Sequence, residues 1–87
     1  MKLTTVTLVA PVDRPLSAST EVVADMLWAH SKPEEGFEHI RVAPGAIGID
    51  ISAFTRLSDS ENSGDRLRAL VERAIRANPA LSDWQIL

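Results

Sequence analysis

Cysteine is absent from the sequence. Disulfides therefore cannot staple the fold, and thiolate metal sites are excluded. Lysine is nearly absent too: Lys2 and Lys32 stand alone, and Arg14, Arg41, Arg56, Arg66, Arg68, Arg73 and Arg76 carry the remaining positive charge. With a formal net charge of −3 the chain lacks the basic face that phosphate-backbone binding requires. The basic residues gather only from Arg66 to Arg76, where Asp65 and Glu72 dilute them. No nucleic-acid partner is expected.

Long apolar runs are missing as well. No stretch approaches the roughly 20 residues of a membrane-spanning helix. Met1 to Ala10 holds one basic residue and a threonine-rich apolar run. A secretory signal would need a longer apolar segment and a small-residue cleavage site. The expectation is a cytoplasmic protein with no membrane partner. Metal, nucleotide and other cofactor signatures are also lacking, so none is expected to bind.

What is present describes one small globular domain spanning residues 1–87. A hydrophobic fraction of 45% and a charged fraction of 24% are those of a folded chain. At 87 residues there is room for one core. Without staples, such a chain stands on that core alone or gains stability by associating.

Leu3 to Ala10, rich in Thr, Val and Leu and stopped by Pro11, reads as a strand. Pro11 to Ser19 reads as a loop, and a helix is expected from about Ser17 to Ser31. Val22, Val23, Met26, Leu27 and His30 form its apolar stripe, and Pro33 and Gly36 end it. A hairpin follows, with strands Phe37–Ala43 and Ala46–Thr55 around Pro44-Gly45. A turn centred there sets Val42 against Ile47, Ile40 against Ile49 and Glu38 against Ile51, gathering the apolar residues of both strands on one face. Residues 56–65 read as a polar loop, in which Ser58 to Glu61 has capping-box spacing and Ser63 is an alternative cap.

A second helix is expected over about Asp65–Ala77. Leu67, Leu70, Val71, Ala74 and Ile75 repeat at i, i+3, i+4, i+7, i+8, the strongest periodicity in the chain. Asn78-Pro79 stops it, and Asp83–Leu87 reads as a short final strand. Strand, helix, strand, strand, helix and short strand make an α+β fold. Right-handed crossovers place both helices on one face of an antiparallel sheet, a ferredoxin-like two-layer sandwich, βαββα(β).

The other sheet face then has no helices over it. The hairpin register sets Phe37, His39 and Arg41 there, opposite Ser52, Asp50 and Gly48, with Phe54 further along and Thr5 and Thr7 beside them. Phe37, His39, Arg41, Asp50 and Phe54 are the expected binding residues, because a face mixing aromatic, apolar and charged groups resembles a protein interface. No nucleophile or oxyanion donor accompanies them, so no catalytic residues are assigned. The expected function is a non-enzymatic interaction or accessory module that self-associates as a homodimer or docks on another protein through this face.

Two other readings carry different chemistry. Two such faces packed together can enclose a pocket for a small molecule, in which a neutral His39 oriented by Asp50 acts as a general base. Alternatively, the C-terminal strand pairs with the edge of another chain.

Weaker signals resolve into ordinary structure. His30, near a helix C-terminus and without a second histidine at i+3 or i+4, reads as a partly buried structural residue. Asp59-x-Glu61 imitates half a calcium loop, but Leu70 occupies the position of the bidentate glutamate. An anion site at the two helix N-termini is opposed by Asp13, Asp59, Glu61 and Asp65, with only Arg14 and Arg56 against them. Trp28 and Trp84 read as margins of the core.

Overall fold

Eight consecutive residues rich in threonine, valine and leucine begin the chain's structure as strand β1, Lys2–Val9. Helix α1, Thr20–His30, strand β2, Phe37–Pro44, and strand β3, Gly48–Thr55, follow. Helix α2, Ser63–Ala77, leads to the two-residue strand β4, Gln85–Ile86. This is a computed structural model that describes residues 2–11, 19–56 and 63–87, except the side chains of Lys2 and Ser63. The expected helix start at Ser17, the capping spacing at 58–61, the calcium-like Asp59-x-Glu61, and Asp13 and Arg14 of the anion site lie outside the described residues.

The four strands form one antiparallel sheet in the order β2-β3-β1-β4. The fold is α+β, with two helices packed against this open sheet. Val6 and Leu8 of β1 point the same way as Ile49, Ile51 and Ala53 of β3, as period-2 alternation requires. Over them lie Val23 and Leu27 of α1 and Leu67, Leu70, Val71 and Ala74 of α2, all in one buried cluster. No helix of the described residues is long and apolar enough to cross a membrane.

Each helix starts, stops and faces inward for local reasons. The Ser19 side chain accepts the Val22 N–H at 3.2 Å, capping α1. Val23 and Leu27, four residues apart, form its buried line, while Val22 and Trp28 lie to either side at 44% and 42% exposure. In α2 the i, i+3, i+4, i+7 set is buried as its spacing predicts. Asn78 ends it by donating twice to the Ala74 carbonyl, from its backbone N–H at 3.0 Å and from Nδ2 at 2.8 Å. A 3-10 turn at Pro79–Leu81 then carries Leu81 and Trp84 into the core.

The helices are also tied together beneath α1. Arg73 donates to both Glu35 carboxylate oxygens, at 2.7 and 2.8 Å, and to the His30 carbonyl at 3.1 Å. Arg66 donates to the Glu35 carbonyl at 3.4 Å. Arg68 pairs with Glu72 on the same helix at 3.5 Å. Much of the Arg66–Arg76 basic cluster is thus engaged within the molecule.

The hairpin register differs from the expected one. Val42 faces Ile51, Ile40 faces Ala53 and Arg41 faces Ser52, a displacement of four positions along β3. Pro44-Gly45 remains in the hairpin arm rather than at its tip, since Pro44, held near −65°, cannot take the positive φ of a type I′ or II′ turn. The tip is Ala46-Ile47, neither with positive φ, and beside it the Gly45 N–H donates to the Gly48 carbonyl at 2.8 Å. Because the displacement is even, the residues from His39 onward keep their faces.

Phe37 does not keep its face. A bulge at Glu38 sets Phe37 against Thr55 and His39 against Phe54. The extra residue turns Phe37 onto the helix side, where it is buried. Gly36, the one described residue with positive φ (74°), makes the preceding turn, and its carbonyl accepts the Arg56 N–H at 2.8 Å. Glu38, thrown outward by the bulge, reaches Arg56 at 3.3 Å.

Candidate functional site

The sheet face opposite the helices is built by the strand positions that the core does not use. β1 contributes Leu3, Thr5, Thr7 and Val9, and β3 contributes Gly48, Asp50, Ser52 and Phe54 directly across from them. β2 adds His39, Arg41 and Ala43. Gly48 permits the close approach at one end of this face: a Cβ there would fall on the Leu8 carbonyl oxygen.

Polar pairs tie the middle of the face together. Thr5 Oγ1 and Ser52 Oγ lie 3.2 Å apart. Thr7 Oγ1 donates to Asp50 Oδ1 at 2.9 Å. Gly45 closes over the same carboxylate, so that a Cβ there would stand 2.8 Å from Asp50 Oδ2. The Asp50 carboxylate is held in place and keeps acceptor capacity for a further donor. Arg41 is exposed and has no hydrogen-bond or ion-pair partner among the described residues.

The apolar end of the face lies beside them. His39 and Phe54 have ring centroids 6.4 Å apart, with planes inclined at 45°. Together with Leu3, Arg41 and Ser52 they line a shallow hollow of about 260 Å³. Leu3 is 54% exposed, although it belongs to a regular strand in a small protein.

Of the five expected binding residues, the structure brings four to one face: His39, Arg41, Asp50 and Phe54. Phe37 is removed to the core by the bulge. The expected His39–Asp50 pair is not formed, because His39 faces Phe54 while Asp50 faces Ala43 and Thr7. The base and its orienting carboxylate are therefore displaced by four positions along β3, and the general-base arrangement loses its geometry. Leu3 was missed by the sequence reading, although the alternation that placed Thr5 and Thr7 on this face extends to it.

The described residues hold other features as well. A hollow of about 360 Å³ between the start of α2 and β1 is lined by Thr5, Val6, Thr7, Gly64, Asp65, Arg68, Ile86 and Leu87. His30 lies at the end of α1 with its Nε2 3.4 Å from Asn78 Nδ2, a structural tie between the helix ends. No group of three or more His, Asp or Glu side chains among the described residues could hold a metal ion. Comparison with known proteins adds no likeness: no family model, curated protein or solved structure matches the chain.

Proposed function

We propose that the chain is a small non-enzymatic interaction module that binds a second copy of itself through the open sheet face, on a ferredoxin-like two-layer scaffold. The scaffold reading is supported by the order β2-β3-β1-β4, in which the hairpin strands β2 and β3 lie on one side, the terminal strands β1 and β4 on the other, and β3 and β1 meet at the centre. Each helix then bridges strands separated by another strand, as in a split βαβ unit.

One observation carries the functional reading. The face without helices holds an exposed Leu3 and a Phe54–His39 pair beside an unpartnered arginine and a fixed carboxylate. Such a mixture of apolar, aromatic and paired polar groups is that of a non-obligate protein interface. Three eight-residue strands span roughly 400 Å² in plane at standard spacings. Two copies would thus cover at most about 800 Å², below a standard-size interface, so the association is a weak and reversible one.

Light scattering during size-exclusion chromatography, run over a concentration series from about 1 μM to 1 mM, tests the reading. The expected result is a mass that rises from one chain to two across that range. A mass of one chain throughout would overturn it.

A further inference from the structure

We propose that two copies meet about a two-fold axis that sets Arg41 of each protomer against Asp50 of the other. The inference rests on the open face being the self-association surface and specifies how that face recognises itself.

The argument begins with the charges. Arg41 and Asp50 are the full charges that strand alternation brings to this face among the described side chains. Glu38 lies in the bulge and is engaged by Arg56. Arg41 faces Ser52 and Asp50 faces Ala43, so the two charges occupy opposite corners of a four-residue plaquette on neighbouring strands. Standard strand spacings put those corners about 8 Å apart. No ion pair joins them within the chain. Asp50 is instead held by Thr7, and Arg41 projects without a partner among the described residues.

A closed dimer uses the same patch on both subunits, so each group must meet its complement in the other copy. An axis through Arg41 would press two guanidinium groups together. One through Asp50 would press two carboxylates together. The axis that bisects the Arg41–Asp50 diagonal instead exchanges the two charges and forms the pair twice. The remaining corners, Ala43 and Ser52, lie near that axis, and both are small enough to let the sheets approach. The strands of the two sheets then cross at a steep angle, as in orthogonal sheet packing. The hollow beside Arg41, with Leu3, His39 and Phe54, would receive apolar contact at the same interface.

The geometry assigns Arg41 the donor role, since its planar fork can engage a carboxylate through two N–H groups. Thr7 holds the acceptor in advance, so little ordering accompanies the contact.

Charge reversal and mixing test this arrangement. Arg41→Glu alone should weaken self-association by about a hundredfold, because two like-charge contacts replace two pairs. Asp50→Lys alone should do the same for the same reason. An equimolar mixture of the two variants should form a one-to-one dimer at concentrations where each alone is monomeric, since both contacts in the mixed dimer regain opposite charges. Thermal melts establish that each variant is folded. If Asp50→Lys fails to fold against Thr7 and Gly45, Asp50→Asn replaces it. The Arg41→Glu and Asp50→Asn mixture should then associate more tightly than Arg41→Glu with itself.

A mixture of folded variants no more associated than its components would overturn the pairing while the wild-type dimer still stood. Either reversal dimerising like the wild type would overturn it too. A wild type that remains one chain throughout would remove both the pairing and the self-association reading beneath it.

Discussion

Arg73 shows how much a single side chain organises. Its guanidinium bonds to Glu35 and to the His30 carbonyl, with side-chain exposures of 27% for Arg73 and 12% for Glu35. One fork thus joins α2 to the end of α1 and to the turn that launches β2. Nε of Arg73 is buried with no partner, so the site is not fully satisfied even in the native state. Removing the arginine would leave the Glu35 carboxylate largely buried, its charge compensated only by the Lys32 N–H 2.8 Å from Oε1, a change that costs about 3 kcal/mol. Arg73→Met should therefore lower the free energy of urea unfolding by about that amount, whereas Arg73→Met with Glu35→Met should recover much of the loss. Equal losses in the single and double variants would show that the arginine acts through packing of its stem alone. None of this was legible in the sequence, where Glu35 and Arg73 are 38 positions apart and belong to unremarkable charged stretches.

At the scale of elements, periodicity was legible and pairing only partly so. α2 could be read because five apolar residues at helical spacing have no other arrangement that buries them together. One of them, Leu70, is fully buried in the core cluster. Leu70→Ala should cost about 3 kcal/mol, within the 2–5 kcal/mol range for such truncations, a large fraction of the stability of a small domain. A denaturant midpoint unchanged by this variant would show that α2 does not pack as described. The faces of β2 and β3 were legible for the same reason as α2, but their register was not. Face assignment needs only parity, whereas register depends on the turn, and the constraint at Pro44 moves that turn beyond the Pro-Gly pair. The bulge had one visible sign: the apolar positions Phe37, Ile40 and Val42 change parity within β2. Taking Phe37, His39 and Arg41 as one continuous alternation passed over it. That placed an aromatic residue on the open face that the structure buries beneath the helices.

For the whole molecule, the open face is set against the outer edge of the sheet at β4, where a pairing C-terminal strand would add to another chain. In an antiparallel ladder, main-chain groups of alternate residues point to the same side. The Leu87 N–H donates to the Thr7 carbonyl at 2.9 Å, and Gln85 lies in register with Val9. Gln85 and Leu87 therefore turn their main-chain groups inward to β1, and within β4 only Ile86 turns its own outward. One outward residue is a poor template for a strand, which weighs against pairing at this edge. Deleting Asp83–Leu87 would not separate the two, because it removes Trp84, a buried core residue. Ile86→Pro separates them cleanly, since proline removes the outward N–H and leaves both inward donors. The variant gives up some packing of Ile86 against the core, so it should melt a few degrees lower. Its association measured by light scattering should nonetheless match the wild type, because the face carrying Arg41, Asp50 and Phe54 is untouched. Loss of association in a folded Ile86→Pro protein would transfer the interface from the face to the edge, and Arg41→Glu would then dimerise as the wild type does.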